Sequence, residues 1–412
     1  MTKKTGLFCY ENLILVLMGL AFGLVFFDRT ALSFLAPFIV PELHLSNTEV
    51  GMLSSGLALT WAIAGYSVGA LSDYLGNRKW LLVVAVAIFS LASVASGFAV
   101  SFLTLLAARV VMGAAEGPVL PLAQSIMSAE SSEHRRGFNM GVLQNFVSSL
   151  LSYFAAPIIL VAIATALNWR WSFFIAGAPG LVLAIIIALF AREPRPAEGA
   201  ARRQGTIGIR AMLGYRNIWV CVILSCLMIS WLLIQLTFLP LFLVQARGLS
   251  PQTMSFVVSA LGIASALSSF IVPALSDRYG RRPMMAIFCF IGVVSPLAAI
   301  YFTGPLPIMI LIMGIGYFAI GPFSLLMATV PSETIPPTYV ATALGLIMGI
   351  GEIAGGFAGP TLAGMAADTF GAAAPMWIAA VLGFGAGAVS LLLTETAPRV
   401  VGTLRAAEPA RA

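Results

Sequence analysis

Apolar residues fill this chain in long blocks with short polar interruptions. Blocks long enough to cross a bilayer fall at about 12–38, 47–72, 80–99, 103–128, 138–166, 171–191, 217–245, 251–275, 284–302, 306–330, 339–366 and 375–394. A spanning helix needs about 20 predominantly apolar residues. The pattern therefore predicts an all-α integral membrane protein with twelve transmembrane helices.

The interruptions carry helix punctuation. Ser46-Asn47-Thr48-Glu49 reads as a capping box opening the second helix, and Ser250-Pro251 starts the eighth. One interruption is longer than the others. Residues 192–216 hold six arginines (Arg192, Arg195, Arg202, Arg203, Arg210, Arg216) among Pro, Gly and Ala, and divide six spans from six. The expected domains are a six-helix bundle over 1–191, a basic linker over 192–216, a second bundle over 217–394 and a tail over 395–412.

Composition sharpens the class. Of 412 residues, 60% are hydrophobic and 9% charged, whereas soluble proteins carry roughly 25% charged side chains. A water-soluble enzyme domain is excluded, and so is a disordered or nucleic-acid-binding chain. No nucleotide-binding loop and no catalytic constellation is found, so no enzyme activity and no cofactor is expected. Cys9, Cys221, Cys226 and Cys289 show no metal or disulfide spacing, and His44 and His134 lie in short polar segments, so no metal site is expected. Lys3 and Lys4 precede an apolar stretch with no small-residue cleavage site after it, which reads as a retained first helix.

Charge position sets the orientation. With the amino terminus inside, 18 of the 22 basic residues fall on the cytoplasmic side, where Lys and Arg are retained. Arg170 and Arg247 fall outside, and Arg29 and Arg109 lie within helices. Both termini and the linker are thus expected in the cytoplasm of a cell with the protein in its inner membrane. This asymmetry accounts for the net charge of +6 without a nucleic-acid partner. Trp80, Trp219 and Trp377 near span ends suit interface anchors.

The chain also repeats itself. Gly69-Ala-Leu-Ser-Asp73-Tyr-Leu-Gly76-Asn-Arg78-Lys79 follows span two, and Pro273-Ala-Leu-Ser-Asp277-Arg-Tyr-Gly280-Arg281-Arg282 follows span eight, 204 residues later. The same spacing pairs Leu45-Ser46 with Leu249-Ser250 and Gly141 with Gly345, so an ancestral six-helix unit was duplicated. Parallel halves of this kind face each other across a site near the midplane. The turn G-x-L-S-D-x-x-G-x-R-K resembles the signature of the major facilitator superfamily, and the resemblance covers essentially the whole chain. It implies two pseudo-symmetric bundles working by alternating access. It also implies that Gly69, Asp73, Gly76, Arg78 and Lys79, with Asp277, Gly280, Arg281 and Arg282, form a cytoplasmic gate and do not touch substrate. Arg109-x-x-x-Gly113-x-x-x-Gly117 resembles the second motif of that superfamily, in which small residues let helices approach closely. The glycine-proline motif of drug-proton antiporters is not evident in span five, while Gly355-x-x-x-Gly359-Pro360 stands in span eleven.

Ionised groups are costly inside a bilayer and mark function by default. Among the acidic residues only Asp28, Glu116 and Glu352 fall well within spans, joined by Arg29 and Arg109. Adjacent residues on a helix stand about 100° apart, so Asp28 and Arg29 must each turn to another helix. The expected outcome is a polar cluster in the first half of the protein, read either as a self-neutralising structural network or as an anion-binding arginine beside titratable carboxylates. The segments Asp28-Arg-Thr-Ala-Leu-Ser33, Arg109 to Pro118 and Asn168-Trp-Arg-Trp-Ser-Phe173 resemble the anion:cation symporter branch, which includes proton-coupled organic-anion and sugar-acid importers. That resemblance implies Asp28 and Glu116 as proton-coupling carboxylates, Arg29 as a partner that tunes Asp28, and Arg109 as a partner of substrate or carboxylate. Desolvation favours the neutral carboxylic acid and a guanidinium favours the carboxylate, so an anion arriving at the arginine can free the acid to take a proton.

Further candidates for the substrate site are Gln144, Asn145, Gln235, Tyr317 and Glu352, with interhelical bonding as the alternative for the first four. Glu352 stays open between a third titratable group, a ligand for a cationic or amide-bearing substrate, and a packed residue. The partners expected are a small-molecule organic anion, protons and the lipid bilayer, with the protein acting as a monomer. Phe26-Phe27 tilt the substrate towards less hydroxylated acids. The alternative activity is a proton-coupled efflux antiporter for amphiphilic compounds.

Overall fold

The computed structural model describes residues 10–75, 77–132, 135–193, 214–336 and 340–400. Among these residues the regular structure is helical throughout. Among the described residues, ten helices are long and apolar enough to cross a membrane. Asn47–Leu75 and Ala374–Ser390 occupy the places of the other two expected spans. In chain order they are α1 (Tyr10–Leu43), α2 (Asn47–Leu75), α3 (Arg78–Gly97), α4 (Phe102–Glu130), α5 (136–166), α6 (Trp169–Phe190), α7 (Arg216–Gln245), α8 (Pro251–Tyr279), α9 (Arg281–Tyr301), α10 (Leu306–Thr334), α11 (340–370) and α12 (Ala374–Ser390).

Polar residues at the ends of the apolar blocks extend several helices by capping them. The Ser46 backbone N–H donates to Glu49 Oε2 at 2.8 Å, and the Glu49 backbone N–H donates back to Ser46 Oγ at 3.2 Å, the reciprocal pattern of a capping box. Asn168 Oδ1 accepts from the backbone of Arg170 and Trp171 and starts α6 at Trp169. Gly280 has φ +108°, a conformation that L side chains rarely adopt, and it makes the sharp turn from α8 to α9. Its counterpart Gly76 lies outside the described residues, as do the linker over 194–213 and the end of the tail from 401 onwards.

By contact the chain divides into two compact units. The first comprises Met1–Leu45, Gly56–Gln204 and Leu249–Ser259; the second comprises Ser46–Ser55, Gly205–Gly248 and Ala260–Ala412. The two exchanged segments, the first turns of α2 and α8, stand 204 positions apart to within a residue. In the first unit, Gly113 and Gly117 of α4 lie against backbone carbonyls of Leu57 and Trp61 of α2, where an added Cβ would collide with main chain. In the second, Gly351, Gly355 and Gly359 of α11 stack at four-residue spacing along Ser225, Cys226 and Ser230 of α7. Both approaches follow the small-residue packing of membrane helices.

Candidate functional site

Asp28 lies midway along α1 and is fully buried, as are Arg109 and Glu116 of α4. Asp28 Oδ1 accepts the Ser93 hydroxyl of α3 at 2.6 Å. Arg109 Nη1 donates to the Asp28 backbone carbonyl at 3.5 Å, and its guanidinium carbon lies 5.3 Å from the Phe173 ring centroid, over the ring face. Arg109 and Asp28 interact electrostatically, and Glu116 interacts with Asp28, Arg29 and Arg109. Neither carboxylate oxygen of Glu116 has a hydrogen-bond partner among the described residues, and Asp28 Oδ2 has none either.

Arg29 turns away from Asp28, as adjacent helical positions require. It is half-buried, and its guanidinium lies over the rings of Phe26 at 5.8 Å and Trp61 at 5.2 Å. Tyr153 interacts electrostatically with Arg29 from a π-helical turn of α5, Leu150–Ala155. Such turns recur at functional sites. The structure thus assembles Asp28, Arg29, Arg109 and Glu116 in one unit. Ser93, Trp61, Tyr153 and Phe173 join them. A serine or an aromatic inside an apolar block gives no signal of its own; Phe173 alone of the four belongs to one of the symporter-like segments, Asn168–Phe173.

The remaining candidates lie on other elements. Gln144 and Asn145 fall on a π-helical turn, Val142–Phe146, with side chains outside the described set. In the second unit, Gln235 is fully buried and donates to Ser295 Oγ at 3.2 Å. Tyr317 is buried with its ring 5.7 Å from that of Trp231. Glu352 is buried on another π-helical turn, Glu352–Phe357, where α11 meets α7.

The turn motif is described in its second copy. Arg281 Nη1 reaches Ser276 at 2.7 Å and Asp277 at 2.5 Å, and Nη2 pairs with Glu333 at 2.8 Å. Glu395 accepts the backbone N–H groups of Arg281 at 2.7 Å and Arg282 at 3.2 Å. In the first copy Glu193 does the same for Arg78 and Lys79 at 2.6 and 3.0 Å. A carboxylate at a helix N-terminus satisfies orphan donors and the helix dipole together. Gly69 and Asp73 lie on the described helix α2, but their surroundings are outside the described set.

Spanning helices, with a cluster of buried charges inside the first unit, mark a multi-pass membrane transporter. The chain belongs to the Major Facilitator Superfamily, which it matches over residues 18–358 and 234–412. It is 27% identical to a probable sulfoacetate transporter of Cupriavidus necator over 97% of this chain and 98% of that protein. It is 30% identical to a hexuronate transporter of Bacillus subtilis over 61% of each. Its fold matches an inward-facing, occupied bacterial homologue of the human lysosomal transporter Spinster, with TM-score 0.80, 20% identity and coverage of 93% and 96% of the two chains.

Proposed function

We propose that this transporter imports a small organic anion bearing a carboxylate together with protons, from the inner membrane, with both termini in the cytoplasm and as a monomer. The observation that carries the reading is Glu116, a fully buried carboxylate whose oxygens find no hydrogen-bond donor among the described residues. A carboxylate anion so placed costs several kcal/mol unless a proton or a cation arrives. Asp28 and Glu116 take up and release protons, and Arg109 offsets their charge. Arg29, half-buried between Phe26 and Trp61, receives the anion, because its planar fork grips a carboxylate through two parallel hydrogen bonds. Sulfoacetate and hexuronates, named in two relatives, share a carboxylate and support an anionic cargo. The turn motif and its caps act as a gate on the cytoplasmic side.

The test is flux in proteoliposomes under an imposed pH gradient, after a thermal-shift screen of organic acids has identified a stabilising ligand. Accumulation driven by an acidic exterior is expected. Expulsion of the ligand against entering protons would overturn import and favour an efflux antiporter.

A further inference from the structure

Ser93 Oγ stands 2.6 Å from Asp28 Oδ1 and 3.2 Å from the backbone carbonyl oxygen of Phe173 in α6. A hydroxyl has one proton to donate and two lone pairs that accept. It therefore serves one of these acceptors fully at a time. With Asp28 ionised, the proton goes to the carboxylate, because a charge-assisted bond is the stronger. With Asp28 protonated on Oδ1, the carboxylic O–H donates to Ser93 Oγ, and the Ser93 proton turns to the Phe173 carbonyl. One proton arrives at Asp28, one hydroxyl rotates and two hydrogen bonds exchange; no other covalent bond forms or breaks. Only the protonated state ties α3 to α6 through this serine.

Phe173 also supports Arg109, which lies over its ring face at 5.3 Å. One turn earlier on the same face of α6, Trp169 meets Phe173 edge-on at 5.9 Å and donates its Nε1–H to Glu42 at 2.5 Å. Arg170 pairs with the same Glu42. Helix α6 is thus tied to α1 at Glu42, one turn of α6 before Phe173. Among the described residues, the charged groups facing Asp28 are Arg109 and Glu116, both from α4. Helices α3 and α6 bring the Ser93 hydroxyl and the Phe173 carbonyl, while Arg29 of α1 and Tyr153 of α5 face one another.

We propose that Ser93 is a positioning residue that transmits the proton state of Asp28 to α6, and that Phe173 passes it to the guanidinium of Arg109. This rests on the reading of Asp28 as a proton carrier. It also gives the Asn168–Phe173 segment a role in the transport cycle.

The experiment is pH-difference infrared spectroscopy of the purified full-length chain in lipid, with protons as the only probe. The carboxylic C=O band of Asp28 is identified by its loss in Asp28→Asn. Ser93→Ala is expected to move that band to higher wavenumber, Ser93→Cys to move it less, and Ser93→Thr to restore it. A titrating Asp28 band that both Ser93→Ala and Ser93→Cys leave in place overturns the relay alone. No titrating Asp28 band overturns the proton-carrier reading and the relay with it. A second arm compares thermal unfolding of Phe173→Leu, Arg109→Gln and the double variant. The double variant is expected to lose clearly less than the two single losses combined; additive shifts overturn the link from Phe173 to Arg109.

Discussion

Asp368 accepts the backbone N–H of Thr48 at 2.8 Å and the Thr48 hydroxyl at 2.6 Å. Its other oxygen takes the backbone and side-chain N–H groups of Asn47 at 2.9 and 2.8 Å. A residue in the last turn of α11 thereby supplies the N-terminal donors of α2 with partners. This carboxylate is one reason that Ser46–Ser55 packs with the second unit. Beside it, Thr361 bonds Ser55 at 2.8 Å and Thr237 bonds Ser54 at 3.0 Å.

Asp368→Ala is expected to lower stability by about 0.5–2 kcal/mol, the usual cost of losing an N-terminal cap. Asp368→Asn keeps an acceptor and is expected to lose less. Thermal unfolding in detergent checks both, and an unchanged midpoint in the alanine variant would refute the capping role.

Asp28→Asn is expected to abolish accumulation driven by a pH gradient while leaving ligand-induced thermal stabilisation largely intact, because the amide keeps the shape and carries no exchangeable charge. Equal accumulation in wild type and variant would remove Asp28 from the coupling.

The two arginines are expected to separate by readout. Arg109→Ala removes the buried guanidinium that interacts electrostatically with Asp28 and Glu116, and uncompensated buried charge costs several kcal/mol. Its main effect is a depressed unfolding midpoint. Arg29→Lys is half-buried and is expected to weaken ligand affinity with little change in stability, since an ammonium lacks the planar fork. The reverse pattern would exchange their roles.

Gly117→Val places side-chain atoms against the main chain of Trp61 and Gly65. Overpacking of this kind costs about 1–3 kcal/mol. Because Trp61 also faces Arg29, ligand affinity is expected to fall along with the unfolding midpoint; a stable variant with normal affinity would show that α2 and α4 can separate at this level.

Much of the architecture was legible in the chain because hydropathy and helix caps are local. The block pattern marks the spans, Ser46 and Glu49 mark the start of α2, and the Asp277–Gly280 turn marks the repeat. Asp28, Arg29, Arg109 and Glu116 were visible because charge inside a spanning block is costly and therefore rare.

What those charges touch was not legible. Ser93 and Trp61 are ordinary members of apolar blocks, and only the close approach of α3 and α6 to α1, and of α4 to α2 across glycine, brings them to the cluster. Nor does residue order show that α2 and α8 begin in exchanged units. The sequence by itself determined which segments enter the membrane and which charges go with them, since both depend on the transfer cost of each residue. Tertiary structure alone decided which of those charges are fully buried and which neighbour holds each proton or guanidinium, since hydrogen bonds and ring contacts act over a few ångströms between helices far apart in sequence.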